Sequence, residues 1–460
     1  MIQALNDSDM PTGASHRPRT LQGWLAHAEN LHPLSIDLTL DRVVRVAERL
    51  QLRLGMPVIT VTGTNGKGST CAMLEAMLRA AGWRTGVYAS PHLLRFNERC
   101  RIDGCEVGDE ALLPHLAAVE AARGAETLTY FEFTTLAILR LLSRSAVDAA
   151  VLEVGLGGRL DAVNVVDADC AVLTSVGIDH VDYLGPDRDA IGREKAGVCR
   201  AGRPFVVADP DPPMELLREV GRRGARAIQV GHDYAINREE GDNWCWEGLG
   251  LRIPGLPRPA LGGNFQLGNA AAAVAALVAL RNHLAVPPAA VAQGLAAVRL
   301  PGRLQIIAGS PRVVLDVAHN AHAARALADA LSGMAHGAKV HAVFGAMRDK
   351  DLDGIVTALR GVVGAWYLCA LDTPRAASTD QLALALRHSL GASAAGCFAS
   401  PMAALGAARC AAAAGELVVV FGSFHAVAPV LAALDRSQPV GRDEPPCSEK
   451  SDRFTHTVAA

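Results

Sequence analysis

The sequence predicts an α/β protein in which parallel strands cross over through helices, and three observations carry that reading. Short β-branched runs alternate with alanine- and leucine-rich segments at helical spacing along the chain. One of those runs, in "VITVTGTNGKGST", breaks directly into a glycine-rich turn with a single lysine, the strand-loop-helix order of a phosphate-binding site. At 460 residues, half of them hydrophobic, the chain is also too long for one ordinary core, so two or three domains are expected.

Taken in order, the first series predicts strands over 58–62, 149–154, 170–176 and 205–208. Helices are predicted over 69–81, where Leu74, Met77 and Leu78 share one face, and over 133–143. A second series follows "VRLPGRLQII", with strands over 313–316, 340–344, 365–370 and 417–421, each bounded by glycine, proline or charge. Pro301 and Gly302 follow a long alanine-rich helix and mark the junction, which places an ATP-binding domain over 19–300 and a smaller C-terminal domain over 301–435. The first 18 residues and the polar, proline-containing stretch 436–460 are expected to be disordered.

Composition excludes several classes. A net charge of -3 with 20% charged residues gives no electrostatic footprint for nucleic acid or an anionic membrane. The apolar stretch from Ala270 to Leu280 is cut by Arg281, well short of the ~20 residues that span a bilayer. The N-terminus has no apolar core of a signal peptide, so a cytoplasmic location is expected. The ten cysteines form no C-x-x-C pair, and the spacing of Cys100 and Cys105 matches no common zinc site, so reduced thiols are expected.

The loop after the first strand lets backbone N–H groups approach a polyphosphate at Gly63, Gly66 and Gly68, and Lys67 adds a point charge. It departs from the usual G-x-x-x-x-G-K-[ST] pattern, because Val61 stands at the first glycine and Gly68 where the metal-binding hydroxyl belongs. "VDAAVLEVGLGG" delivers Glu153 to the carboxyl end of a strand, where open α/β sheets bind ligands and a carboxylate can hold Mg²⁺. "CAVLTSVGIDH" brings Asp179 and His180 to the same edge; a lone histidine there is more often structural, but beside Glu153 and Lys67 the balance turns. On residues alone, Lys195 in "GREKAG" reads as a surface lysine. In the second domain "RVVLDVAHN" presents Asp316, His319 and Asn320, and Arg303 is placed to reach back across the cleft. The residues alone thus indicate an ATP-dependent enzyme that closes two domains over a nucleotide and an acidic substrate.

The ordered set "GTNGKGST", "YASPHLLRFNERCRIDG", "TYFEFTTLAIL", "LEVGLGGRLDAVN", "SVGIDHVDYLGPDRDAIGREKAG", "LPGRLQII", "LDVAHNAHAA" and "GSFHAV" resembles the Mur ligase superfamily. Within it, the set is similar to the bacterial bifunctional dihydrofolate synthase/folylpolyglutamate synthase family, from about Leu21 to about Leu434. The resemblance implies a P-loop-containing Mur-ligase-like domain with a mostly parallel sheet, followed by a smaller Rossmann-like domain. It implies transfer of the ATP γ-phosphate to the carboxylate of dihydropteroate or of a tetrahydrofolate polyglutamate, and attack on the acyl phosphate by L-glutamate. It implies phosphate and nucleotide contacts at Thr64, Asn65, Gly66, Lys67, Asn269, Arg303 and Asp316, and Mg²⁺ ligands, for what would be two ions, at Ser90, Glu153 and His180. Lys195 falls where the family carries a carbamylated lysine. Asn30, Leu31, His32, Pro33, Leu160, Asp161, Ala162 and His319 fall at substrate positions, and a monomer is implied. A monofunctional folylpolyglutamate synthase, a peptidoglycan Mur ligase and a catalytically inactive ATP-binding regulator stand as rivals. Fewer than 60 residues before the loop leave no room for a UDP-binding domain, and Lys67, Glu153, His180 and Asp316 together speak against an inactive protein.

Overall fold

The computed structural model describes residues 18–239 and 241–437. Its first sheet has eight strands: β1 (Val58–Thr62), β2 (Thr85–Tyr88), β3 (Cys100–Ile102), β4 (Cys105–Glu106), β5 (Ala149–Glu153), β6 (Cys170–Leu173), β7 (Pro204–Val207) and β8 (Arg226–Gln229). Their order is β4-β3-β2-β5-β1-β6-β7-β8. The six strands from β2 to β8 in that order are parallel, and β3 and β4 add antiparallel at one edge. Parallel sheets are covered on both faces, which is why β1, β5 and β6 are apolar runs buried at every position.

One face of this sheet is covered by the helices Lys67–Ala80, Phe265–Ala279 and Pro288–Ala297, the other by Leu21–Glu29, Asp109–Arg123 and Tyr130–Arg144. Each fully buried Leu or Met on those faces, such as Leu74 and Met77, stabilises the fold by about 1.5–3 kcal/mol. The helix Phe265–Ala279 is buried nearly all round, because a second, antiparallel sheet covers its outer side. That sheet is β9 (Tyr234–Arg238), β10 (Trp244–Gly248) and β11 (Leu251–Leu256), and Trp246 Nε1 donates to Ala271 O at 3.1 Å. The sequence reading had no counterpart for it, since Trp244, Cys245 and Trp246 are buried in succession and show no clean alternation.

The third sheet comprises β12 (Gln305–Ile307), β13 (Arg312–Leu315), β14 (Val340–Phe344), β15 (Val363–Cys369), β16 (Gly396–Phe398) and β17 (Leu417–Phe421). It runs in the order β12-β13-β17-β14-β15-β16 and is parallel except for β12. Between the last helix of the first part, ending at Ala297, and β12 lies the Pro301–Gly302 turn.

Two expectations are corrected. The strand expected over 170–176 stops at Leu173, because the Thr174 hydroxyl bonds Asn65 O (2.6 Å) and Ser175 turns to the phosphate loop. Positions 436 and 437, expected to be disordered, are the last two of the helix Phe424–Ser437; residues 1–17 and 438–460, where the rest of that expectation falls, lie outside the described residues. No helix among the described residues is long and apolar enough to cross a membrane. Among the described residues eight cysteines are free thiols, six of them buried, whereas Cys105 is disulfide-bonded and departs from the expectation of reduced thiols.

Candidate active site

The carboxyl ends of β5, β1 and β6 lie side by side, and those of β13, β17 and β14 face them from the third sheet across a cavity of about 940 Å³. Sheet order therefore decides which loops meet, as expected for a ligand crevice at the carboxyl edge of an open α/β sheet.

After β1, Gly66 caps the helix Lys67–Ala80 in the left-handed region (φ 87°), and a Cβ there would lie 2.5 Å from Asn269 Oδ1. Gly63 is as constrained, since a Cβ would lie 1.8 Å from Thr174 Oγ1. The loop thus packs against Thr174 after β6 and the helix Phe265–Ala279; the N–H groups of Thr64 and Asn65 donate to Ser175 O (2.8 Å) and Oγ (3.1 Å), and Gly66 and Lys67 line the cavity at the helix N-terminus. Lys67 Nζ donates to Gly63 O (2.9 Å) and Thr64 O (3.3 Å). Burial pushes its pKa down and that of Glu153 up, each opposed by the other's charge.

Glu153, at the end of β5, accepts the Ser90 N–H at 3.2 Å, which ties the two residues together across β2 and β5. His180 faces the same cavity, and burial first, then Lys350, His319 and Lys67 against the opposing Asp179, bring its pKa down to about 4, so the ring is neutral. A hydroxyl, a carboxylate and a neutral imidazole are a donor set suited to a hard divalent cation that takes its remaining ligands from phosphate and water. Among the described residues no group of three or more His, Cys, Asp or Glu side chains could hold a metal ion by itself. Lys195, in the last turn of the helix Arg188–Ala196, also lines the cavity, although it is only 3% exposed. Burial, then the charge of Lys67, lowers its pKa to about 7.

From the third sheet, Asp316 accepts N–H groups from Leu304 (2.8 Å) and Ala318 (2.8 Å), and Arg303 lies with its guanidinium carbon 5.3 Å from the Phe424 ring centre. His319 Nδ1 bonds Val317 O at 2.9 Å; a carbonyl only accepts, so Nδ1 carries a proton, and Nε2 lies 3.7 Å from Asp179 Oδ2. Asn320 exchanges amide bonds with Asn65 (3.1 Å each way) and donates to Asp179 (2.9 Å). Asp179 also takes a 2.6 Å ion pair from Lys350. Burial opposes ionisation of Asp179, yet His180, Lys350 and His319 outweigh it and hold the carboxyl well below its usual range. Phosphate loop, post-β6 loop and third sheet are thereby tied at one point.

Thus Thr64, Asn65, Gly66, Lys67, Ser90 and Glu153 meet at one cavity with His180, Lys195, Asn269, Arg303, Asp316 and His319. The residues expected at the pterin lie outside its lining. Asn30 Nδ2 bonds Ala26 O, His32 sits between Thr127 (2.8 Å) and Asp37 (3.2 Å), Leu31 packs on the second core, and Pro33 is exposed. Asp161 accepts N–H groups from Leu156 (2.8 Å) and Val163 (2.9 Å), with burial raising its pKa to about 6; Ala162 is buried beneath it and Leu160 is half-buried. Lys350, Arg99 and Tyr130 line the cavity and were missed. Lys350 lies in a charged run beyond the end of β14, and neither it nor Arg99 and Tyr130 carries the strand-end signal that revealed Asp316.

Residues 61–277 match the family described as Mur ligase middle domain, and residues 302–424 the family described as Mur ligase, glutamate ligase domain. The dihydrofolate synthase/folylpolyglutamate synthase of Escherichia coli (strain K12) is 44% identical over 423 residues, 92% of this chain and 97% of that protein. The solved structure of E. coli FolC in complex with DHPP and ADP superposes with a TM-score of 0.85 at 44% identity, covering 91% of this chain and 98% of that one. A bifunctional folylpolyglutamate synthase/dihydrofolate synthase with Mn, AMPPNP and L-glutamate bound gives 0.83 at 44% identity, covering 90% and 98%.

Proposed function

Because the chain belongs to the dihydrofolate synthase/folylpolyglutamate synthase family of Mur ligases, we propose that it is an ATP-dependent ligase that adds L-glutamate to dihydropteroate and to folylpolyglutamates. The observation that carries this reading is the meeting of the phosphate loop, Glu153 and His180 with Arg303, Asp316 and His319 across one cavity.

A carboxylate resists attack because it is a poor electrophile and has no adequate leaving group. ATP solves both: the carboxylate oxygen bonds the γ-phosphorus as the bond to ADP breaks, giving an acyl phosphate. The amine of L-glutamate then attacks the acyl carbon, and phosphate leaves as the amide forms. Catalysis is therefore positioning and neutralisation of crowded anions. Thr64, Asn65, Gly66 and Lys67, the last with its ammonium, hold the phosphates. Asn269, Arg303 and Asp316 hold the nucleotide from either side of the cleft, and His319 meets the incoming amino acid from the third sheet. Ser90, Glu153 and His180 would hold one Mg²⁺, and a modified Lys195 would help hold a second. When bound, the metal ions supply fixed positive charge against the phosphate oxygens.

Assay of the purified protein with ATP, L-glutamate and Mg²⁺ tests the reading directly. Amide product is expected from dihydropteroate and from tetrahydrofolate. Turnover of tetrahydrofolate alone would leave a monofunctional enzyme, and turnover of neither would remove the reading.

Lys195 is read as carbamylated, supported by a buried amine whose pKa is lowered to about 7 and by the absence, among the described residues, of any hydrogen-bond partner for its Nζ. Only the neutral amine adds CO₂, and because the pKa is lowered the neutral form prevails above about pH 7. Depleting bicarbonate at pH 8 is expected to lower turnover and restoring it to recover turnover, with the recovery lost near pH 6. Turnover indifferent to bicarbonate at pH 8 would return Lys195 to an unmodified cation.

A further inference from the structure

Among the described residues two arginines are at least nine-tenths buried, Arg42 (9% exposed) and Arg99 (8%). Arg42 is fully paired, bonding Glu132 Oε2 at 2.9 Å and forming ion pairs with Asp37 and with Glu132 Oε1. Arg99 has no carboxylate. Its Nε donates to His92 Nδ1 at 2.9 Å, and its guanidinium carbon lies 5.6 Å from the centre of the Phe96 ring and 5.7 Å from that of Tyr130. The acid beside it in sequence, Glu98, is occupied by the N–H groups of Leu93 (2.6 Å), Leu94 (2.6 Å) and Arg95 (2.7 Å). Ring faces offset part of the cost of burying a guanidinium, but a buried charge is retained when an opposite charge meets it.

Arg99 lines the cavity, so that charge can come from a ligand. Its place in the sheet indicates which one. Arg99 precedes β3, Ala89 N–H donates to Arg99 O at 3.0 Å, and β3 pairs with β2, so Arg99 lies one strand from Ser90 and two from Glu153. The phosphate loop is three strands away, about 14 Å at the usual strand spacing of about 4.8 Å. Lys67 and Arg303 serve the nucleotide end. A pterin ring carries no charge, and the incoming L-glutamate is assigned above to His319 on the third sheet, which leaves the carboxylate that accepts phosphate.

We infer that Arg99 binds the carboxylate of the acyl substrate, aryl or γ-glutamyl, and presents it to the phosphoryl group from the side opposite the phosphate loop, with the Tyr130 ring beside it. This rests on the ligase reading above. The test is equilibrium binding at saturating ADP of two probes, dihydropteroate and the same dihydropterin with hydrogen in place of the benzoate carboxylate. The wild-type protein is expected to prefer dihydropteroate by roughly 30-fold or more, and Arg99→Gln to lose that preference while binding the decarboxylated probe and ADP as before. Arg99→Lys, which keeps the charge, is expected to retain part of the preference. Equal loss for both probes in Arg99→Gln would make the residue a support for the Tyr130 wall and overturn the inference, as would an unchanged preference. A wild-type protein that binds neither probe would overturn the ligase reading itself.

Discussion

Lys67→Ala is expected to lower turnover by at least ~10³-fold with the fold intact, the largest effect of any single substitution in the site. Lys67 is the one ammonium in the phosphate loop, and its Nζ bonds the loop carbonyls of Gly63 (2.9 Å) and Thr64 (3.3 Å), with Glu153 as the opposing charge of largest influence. Neither carbonyl is an ionic partner, so the side chain has no structural ion pair to lose. What disappears is a positive charge in a buried pocket, where each charge acting on transferring phosphate oxygens counts for far more than in water. Folding should be retained because the helix Lys67–Ala80 is fixed by Cys71, Leu74, Met77 and Leu78, all buried, and the loop by the bonds of Thr174 and Ser175 to Asn65. Thermal unfolding and ADP release, measured on the same preparation, check both halves. A folded variant with turnover within ~10-fold of wild type would remove Lys67 from the phosphate site.

Much of this site was legible because one rule generates it: in a parallel sheet the chemistry sits where an apolar run ends. Thr62 to Lys67, Glu153, His180 and Asp316 all follow that rule, and each run is buried along its length in the structure save Arg312, the exposed first residue of β13. The small sheet β9–β11 was not legible, because Trp244 and Trp246 are buried against the helix Phe265–Ala279 while Cys245 between them is buried as well, which erases the two-residue alternation. Arg99 was hidden for a different reason. It lies in "FNERCRIDG" beside Arg95, Glu98 and Arg101, a run that reads as a solvated surface, and only the fold separates them: Arg95 pairs with Glu106 at the surface, Arg101 with Glu75, and Arg99 with no acid. Lys350 is similar, an exposed-looking residue in "MRDKD" that the fold buries against Asp179, 171 positions away. Pairing across that distance is set by tertiary structure and leaves no local mark.

The residue after Lys67 makes the last prediction. In a standard P-loop a hydroxyl follows the lysine and meets the metal, whereas here Gly68 stands there and Ser69 comes one position later. One residue along a helix is a rotation of about 100°, enough to turn a side chain off the face that precedes it. The Ser69 hydroxyl is accordingly buried against the helix Phe265–Ala279 and accepts a 3.2 Å bond from Gln266 Nε2, whose side chain is in turn bonded by Asn269 at 2.9 Å. Ser90 arrives instead from the end of β2, with its own N–H on Glu153 Oε2 (3.2 Å), so that its hydroxyl and that carboxylate form one proposed ligand pair. At Gly68 a Cβ would approach both Glu153 oxygens only to 3.6 Å, an ordinary contact, so space alone does not demand glycine there. Ser90→Ala should therefore reduce Mg²⁺-dependent turnover by ~10²-fold and raise the Mg²⁺ concentration needed, as loss of a ligand does. Ser69→Ala should lose about 1 kcal/mol of stability from the Gln266 bond and leave the Mg²⁺ dependence near wild type. Turnover titrated with Mg²⁺ ranks the two, and the reverse ranking would mean that Ser69 leaves Gln266 to serve the metal and that this loop works as an ordinary P-loop.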